Sequence, residues 1–419
     1  MAALLDRAGF RFVSEPAAAD VVILNTCGFI QPSKDEADGA ILSALAARSG
    51  EKRPKVIVAG CYVERSAAEL AARYPGVDAW IGVKDFDKIV SVVKGEPFRP
   101  ARRTFLYDGE LPRAVSTPSS WAYLKISEGC SHECSFCSIP SIKGTYRSRT
   151  VRSIAAEASR LAAAGVREIN LVSQDTTYFG RDRGPGSRLP RLLRELGRVP
   201  DLAWIRVLYG YPEEVDDGLI GALAGEKICR YLDIPFQHAD PGILRRMRRS
   251  MDARRGLRLL EKLRSKVSGI AVRTSLIVGF PGEGRAEFSA LKAFVREAAF
   301  DHLGVFPYSC EDGTAARGLG DPVPEEVKRA RLDEVMAMQA EISARKLRAR
   351  VGRTMEVLIE GPSPGRPGIW TGRAAFQAPE VDGIVLVSGF GPDGPGSSPL
   401  RRVEIRDSGS YDLSGDLVG

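Results

Sequence analysis

The stretch EGCSHECSFCSIP, Glu128 to Pro140, sets Cys130, Cys134 and Cys137 within eight positions, three of the chain's seven cysteines. The pattern is CxxxCxxC, directly after YLKIS, an alternating segment that reads as a β-strand. A structural zinc site closes with four ligands in paired CxxC or Cys/His spacing, and no second pair lies nearby. Three thiolates on one short loop can instead hold three corners of a cubane iron–sulfur cluster, leaving its fourth iron open to an outside ligand. An open coordination position marks a catalytic rather than a structural centre. The plainer readings are three core thiols or a weak zinc site.

Working outward, YLKIS opens a series of strands: EINLVSQ, WIRVLYG, YLDIPFQ, AVRTSLIVGF and HLGVFPYS, with helical stretches between them. Six β/α units from about Trp121 to Asp321 predict a complete or partial TIM-type β/α barrel. Polar and unusual residues follow each strand: Glu128-Gly-Cys, Gln174-Asp175, Gly210-Tyr-Pro, Gln237-His238, Gly279-Phe-Pro and Tyr308-Ser. Barrel strand ends converge on one face, where active sites are built. Ordinary turn chemistry explains part of this pattern, but six such exits, one with three cysteines, favour a site.

Upstream, VVILNTC, KVIVAGC and AWIGV alternate with AALLDRAGF, DEADGAILSALAAR, RSAAELAARY and DFDKIVSVVKG. That alternation predicts a parallel-sheet α/β domain over residues 1–95, followed by a Pro/Arg-rich linker over 96–120. The barrel domain is expected over 121–345 and ends in a basic amphipathic helix, Pro324 to Val351, packed against it. Residues 346–419 hold TMEVLIEG, IWTGRA, GIVLVSG and RRVEIRD between Gly/Pro turns, a texture that fits a small closed β-barrel of five short strands. The fold class is thus α/β with a C-terminal β-barrel.

The totals bound the function. At 44% hydrophobic and 27% charged over 419 residues, the composition is that of a globular chain of two or three domains. No apolar run of about 18 residues exists, so no membrane span and no membrane partner are expected. MAALLDRAGFRF lacks the form of a secretory signal. Odd, clustered cysteines argue against a disulfide framework and for reduced thiols in the cytoplasm. A net charge of +7 permits contact with RNA or a ribosome without establishing it.

Cys27 closes VVILNTC and Cys61 closes KVIVAGC. Either alone reads as a buried thiol; as a matched pair at parallel strand ends, each beside a glycine, they read as ligands. Cys229 reads as a small core residue and Cys310 as a site-proximal thiol. None of His132, His238 and His302 has a second His or a carboxylate at metal-ligand spacing, so no histidine-based metal site is expected.

CxxxCxxC with Phe136 before its last cysteine, at the exit of a first barrel strand, resembles the radical S-adenosylmethionine superfamily. The resemblance implies a 4Fe–4S cluster held by Cys130, Cys134 and Cys137, whose open iron binds the methionine end of S-adenosylmethionine. One electron then yields methionine and a 5′-deoxyadenosyl radical. NTCGF and AGC resemble the N-terminal domain of methylthiotransferases, which holds a second, auxiliary cluster on three cysteines, and the C-terminal strands resemble that family's TRAM domain. Cys27 and Cys61 supply two of those three ligands. They lie 34 residues apart, and a further step of that length falls before Met1. The expectation is a native product longer by about 10 to 20 residues, one strand and its turn, with a labile or absent auxiliary cluster in the chain as it stands.

YLKISEGC, SIPSIKGTYRSR, LYGYP, YLDIPFQH, RTSLIVGFPGE and VFPYS resemble the ribosomal-protein (RimO-type) branch of the family more than the tRNA branch. That implies methylthiolation of an aspartyl β-carbon in small-subunit ribosomal protein twelve, with tRNA adenosine as the alternative substrate and a non-catalytic iron–sulfur relative as a further one. From Met355 onward there are five arginines, no lysine and nine carboxylates, Asp393 among them, a net −4. A module docking on tRNA phosphates should be basic, whereas an acidic one suits a basic ribosomal protein; the bland reading is an ordinary acidic surface. The implied partners are that protein or the assembling small subunit, and an electron donor such as flavodoxin or ferredoxin. Phe136, Gln174, Asp175, Gln237, Arg273 and Tyr308 are candidates to line the cofactor pocket. Arg273 would pair with the cofactor carboxylate and Tyr308 would pack on adenine. Each also has a plain role at a strand end.

Overall fold

Strand β2 (Lys55–Gly60) is apolar on both faces and sits at the centre of a three-stranded parallel sheet between β1 (Val21–Thr26) and β3 (Ala79–Ile81). Successive side chains alternate between faces. Val56 and Val58 pack with Ala37 and Ile41 of α2 (Gln31–Ala46) and with Tyr62 and Leu70 of α3 (Cys61–Arg73). Ile57 and Ala59 pack on the other face with Leu5 of α1 (Ala2–Arg7) and with Ile89, Val92 and Val93 of α4 (Ile89–Lys94). A strand covered by helices on both faces requires this two-sided apolarity. Two local expectations change. DFDKIVSVVKG splits into a 3-10 segment, Val83–Lys88, and α4, and RSAAELAARY is the continuation of a helix that begins at Cys61 and bends at Ser66.

The computed structural model describes residues 1–49, 53–184, 188–320, 322–391, 394, 396 and 398–418; Asp321, the expected end of the barrel, and Asp393 lie outside the described residues. Packing divides the chain into two compact units, and these cut across the boundaries expected from sequence. The first takes in residues 1–114, 127–147 and 309–318, so the three-cysteine loop packs with the N-terminal elements. Within it, α3 lies against α5 (Ile139–Lys143), the helix that follows Cys137. The second comprises residues 115–126, 148–308 and 319–419. Its barrel and C-terminal domain are one unit because they share a core.

In that second unit β4 (Trp121–Lys125), β5 (Glu168–Val172), β6 (Trp204–Val207), β7 (Ile228–Asp233), β8 (Ala271–Val278) and β9 (His302–Pro307) pair in parallel. They lie in chain order across one open six-stranded sheet. This is a partial barrel. Leu124, Ile169, Leu171, Ile205, Val207, Val272 and Leu276 face outward under the helices. Helix α6 (Val151–Ala163) shows why those helices form. Thr150 accepts from Ser153 N at 3.1 Å as its N-cap, a bond whose loss costs about 1 kcal/mol. Ile154, Ala158, Leu161 and Ala162 then recur on one buried stripe. Among the described residues no helix is long and apolar enough to cross a membrane.

The last five strands, β10 (Thr354–Pro362), β11 (Trp370–Ala374), β12 (Val385–Ser388), β13 (Leu400–Ser408) and β14 (Leu413–Leu417), close into a barrel in the order β10-β11-β12-β14-β13. Its core of Val357, Val385, Val403 and Ile405 runs on into Trp121, Trp204, Tyr231 and Ala271, which line the inner face of the parallel sheet. The segment between β11 and β12 reaches into that face. Tyr123 OH donates to Glu380 at 2.7 Å and Tyr231 OH to Asp382 at 2.7 Å, while His302 Nε2 lies 2.7 Å from Phe376 O. Deeper in, Glu168 holds Arg206 at 2.8 Å and Arg373 at 2.5 Å, all three essentially without solvent exposure. The N-terminal half of the inner face is thereby filled by the C-terminal domain.

Candidate cofactor centre

The cysteine loop is built on a glycine. Gly129 has φ +84°, and a Cβ there would stand 2.3 Å from Thr145 O and 2.6 Å from Gly144 O. Only glycine allows so close an approach with that backbone. The closure lets Cys130 N donate to Gly144 O at 3.1 Å. Cys137 N donates to Cys134 O at 3.1 Å, folding the last two thiols onto one turn, with Phe136 half-buried between them. Lys143 Nζ stands 3.6 Å from the buried Glu128 carboxylate at the loop base. Cys130, Cys134 and Cys137 are each partly exposed, and none of the seven cysteines is in a disulfide. Among the described residues no three His, Cys, Asp or Glu side chains stand close enough to share one ion. The fit to a cluster is one of donor type, order and loop closure: three reduced thiols on one glycine-closed turn suit the three-thiolate set that a cubane with an open corner takes.

Cys27 and Cys61 occupy matching places in the first unit. β1 and β2 pair with Thr26 opposite Gly60, so both cysteines are the next residue past one register pair. Neighbouring strands run about 4.8 Å apart, which puts the two positions side by side on one sheet edge. Both adjacent glycines are close approaches. A Cβ on Gly60 (φ +126°) would lie 2.2 Å from Thr26 O, and one on Gly28 2.5 Å from Tyr62 Cα. Cys27 is exposed and Cys61 half-buried at the start of α3.

In the second unit, the strand-exit residues separate by role. Gln237 holds φ +69°, donating its N–H to Ser275 O at 3.0 Å and accepting from Ile277 N at 2.7 Å. A left-handed non-glycine residue costs about 1–3 kcal/mol, and such strain concentrates at ligand sites. Tyr209, after β6, has φ +58° and is exposed. Gln174 is half-buried, and its Oε1 has no hydrogen-bond partner among the described residues. Asp175 is instead a loop former: Oδ1 accepts from Thr177 N at 2.8 Å, Thr177 Oγ1 at 2.5 Å and Tyr178 N at 3.2 Å.

Two expectations need correction. Arg273 is the third residue of the eight-residue β8, in the half covered by the C-terminal domain, and its guanidinium is held by Asp233 at 3.3 Å and Asp382 at 3.5 Å. It is a docking residue, its charge already engaged by those carboxylates. Burial pushes the Asp233 carboxyl up, against the pull of Arg273. Tyr308 is buried, edge-on to Phe280 at 5.0 Å with Lys328 Nζ 5.6 Å from its ring centre, so it packs the strand exit. Cys229 is buried in the shared core, where desolvation pushes its thiol up to about 12, an inert core residue.

Asn170 was not among the expected residues. It is fully buried on the inner face, two residues past Glu168, and neither side-chain amide atom has a hydrogen-bond partner among the described residues. Each orphaned polar group costs roughly 1–3 kcal/mol, which marks the position for a ligand or water. The available signal was a lone amide at an inward position of EINLV.

Residues 124–295 match the Radical SAM superfamily, residues 1–82 the Uncharacterized protein family UPF0004, and residues 351–418 the TRAM domain. The ribosomal protein uS12 methylthiotransferase RimO of Anaeromyxobacter sp. (strain Fw109-5) is 45% identical over 425 residues, covering 100% of this chain and 89% of that protein. The protein of the same name from Syntrophotalea carbinolica is 42% identical, covering 98% and 91%. Among solved structures, the radical S-adenosylmethionine methyltransferase TsrM from Kitasatospora setae aligns with TM-score 0.53 at 16% identity, over 73% of this chain and 63% of that one, a likeness of fold. With three cysteines on a glycine-closed loop, a parallel partial barrel and a closed C-terminal barrel joined in one chain, and with identity of this level over its whole length, the chain belongs to the ribosomal protein uS12 methylthiotransferase family of radical S-adenosylmethionine proteins.

Proposed function

We propose that this chain methylthiolates the β-carbon of an aspartyl residue in ribosomal protein uS12. The observation that carries the reading is the near full-length relatedness to proteins of that name, joined to the CxxxCxxC loop. A 4Fe–4S cluster and S-adenosylmethionine, when bound, supply a one-electron route to a carbon-centred radical able to break a C–H bond that no side-chain base could deprotonate. Cys130, Cys134 and Cys137 hold that cluster. Cys27 and Cys61, side by side on the sheet edge, would supply two of the three thiolates of a second 4Fe–4S cluster, which would hold the sulfur that is transferred. Gln174 and Gln237 offer polar groups for the cofactor, and Phe136 shields the turn carrying Cys134 and Cys137. The electron donor is of flavodoxin or ferredoxin type, and the reaction belongs to the cytoplasm, where ribosomes assemble.

Mass spectrometry of ribosomal proteins from cells with and without the gene tests the proposal. uS12 should lose a methylthio mass in the deletion strain. Unchanged uS12, with a methylthio-nucleoside missing from bulk tRNA, would move the assignment to the tRNA branch.

The form of the substrate follows from charge. Arg245 and Arg246 of the helix Pro241–Arg246, Arg248 just past its end, and Arg254, Arg255 and Arg258 of the helix Ala253–Lys266 are exposed, and Glu261 is the only acidic residue in the second helix. Such a face favours uS12 presented on ribosomal RNA, while the acidic stretch from Met355 onward suits the basic protein itself. Reversing Arg254 and Arg258 to glutamate should weaken binding to the small subunit and flatten its salt dependence by about one unit per lost phosphate contact. Binding to isolated uS12 should stay unchanged. Equal salt slopes for parent and variant would count against an RNA contact.

A further inference from the structure

Glu311 is a buried carboxylate in the first compact unit, on the loop after the last barrel strand. Lys34 lies 2.7 Å and Arg65 2.9 Å from its Oε2, while its Oε1 accepts from Gln31 N at 2.6 Å and Ser309 Oγ at 2.7 Å. Gln31 is the first residue of α2, so the carboxylate sits at the positive end of a sixteen-residue helix. Burial alone would push Glu311 up, but the hydrogen bonds from Lys34 and Ser309, with the two cations, hold it below the usual carboxylate range.

Arg65 connects this carboxylate to both auxiliary cysteines. It is one helical turn past Cys61 on α3, and its Nη1 donates to Gly28 O at 2.8 Å and Phe29 O at 3.3 Å, the two residues after Cys27. Its Nη2 donates to Asp312 O at 2.6 Å. On the other side, Thr314 Oγ1 donates to Glu311 O at 2.7 Å, and Ala316 N donates to Ser135 O at 2.8 Å. Ser135 is the neighbour of Cys134. A path of hydrogen bonds thus runs from the Cys27 turn through Arg65, Glu311 and Ala316 to the three-cysteine loop.

A buried ion pair is a poor source of stability compared with apolar packing of equal volume. What it adds is a defined geometry, because Arg65 must meet three carbonyls and a carboxylate at once. We infer that Arg65 and Glu311 are positioning residues that set the separation of the two cysteine groups, and so of the two clusters the reaction would use. The inference rests on the proposed second cluster at Cys27 and Cys61.

The test uses the full chain, reconstituted anaerobically and kept in excess iron and sulfide so that a labile second cluster is filled, as the parent and as Glu311→Gln and Arg65→Lys. Electron paramagnetic resonance of the reduced protein reads the magnetic interaction between clusters, and 5′-deoxyadenosine is counted against methylthiolated uS12. Both variants should keep the parent's iron content and cofactor cleavage but show an inter-cluster broadening altered from the parent's. Methylthio product per 5′-deoxyadenosine should fall by at least ~10-fold, the scale expected for reacting groups displaced by a fraction of an ångström. A parent that holds only one cluster's iron would overturn the two-cluster reading and this inference together. A two-cluster parent whose variants keep both broadening and product ratio would overturn the inference alone. Loss of folding in both variants would also overturn it, leaving the pair a stabilising role.

Discussion

Glu168→Gln destabilises the second compact unit by about 3–5 kcal/mol, because it leaves two buried guanidinium groups without the carboxylate that holds them. Glu168 has no solvent exposure and receives Arg206 Nε at 2.8 Å and Arg373 Nη2 at 2.5 Å, while Arg373 Nε lies 2.6 Å from Glu360. Two arginines and two glutamates balance; the glutamine leaves one positive charge in excess at the centre of a shared core. The arginines cannot relax elsewhere, since Arg206 also donates to Ala375 O at 2.8 Å and lies 4.7 Å over the Tyr231 ring. The measurement is thermal unfolding followed by the fluorescence of Trp121 and Trp204, both buried beside this network. An unfolding midpoint equal to the parent's would show that the network contributes nothing to the docking of the C-terminal barrel. The pH dependence has a definite sign. Burial raises the Glu168 carboxyl, but Arg206 and then Arg373 outweigh it and hold its pKa below the ordinary value. A lowered folded-state value means stability that is present above the ordinary carboxylate pKa and lost as pH falls through the lowered one. The parent should lose this increment in acid, and the glutamine variant should have none to lose.

Cys134→Ser abolishes iron binding at the three-cysteine loop and takes 5′-deoxyadenosine formation to background. The loop offers three thiols, the whole donor set that a cubane with an open corner takes from it, so the substitution leaves that set incomplete. Serine keeps the volume and the Cys137 N to Cys134 O hydrogen bond, which involves backbone only, so the loop itself should persist. Iron per chain and the reduced-state spectrum provide the readout, with three comparisons. Cys229→Ala, buried in the core of the second unit, should keep the parent's iron. Cys27→Ala and Cys61→Ala should each remove the iron of the second cluster proposed at that pair while sparing cofactor cleavage. A Cys134→Ser protein with the parent's iron and full 5′-deoxyadenosine yield would defeat the assignment of the loop.

Much of the site was legible because its signals are local. The CxxxCxxC spacing, Gly129 before it, and the matched NTCG and AGC strand ends each lie within a few residues, and the structure puts Thr26 opposite Gly60 as the matched ends require. Arg273 was misread for the opposite reason. A charged residue on an inward strand position announces a partner without naming it, and the partner, Asp382, comes from a domain over a hundred residues away in sequence. Asn170 was missed because a single amide in an apolar run has no pattern around it.

The sequence by itself determined the donor chemistry, the parallel α/β and closed-barrel elements and their order along the chain. These follow from side-chain type, hydrophobic period and turn residues, which act over a strand or a helical turn. Only the tertiary structure decided that the cysteine loop packs with the N-terminal elements, that the C-terminal barrel fills half of the inner face, and that Glu311 ties the cysteine turns together. Those outcomes rest on buried charges meeting across 205 residues in Glu168–Arg373 and 246 in Arg65–Glu311. Coulomb attraction depends on distance in space, and distance in space is what a linear pattern does not contain.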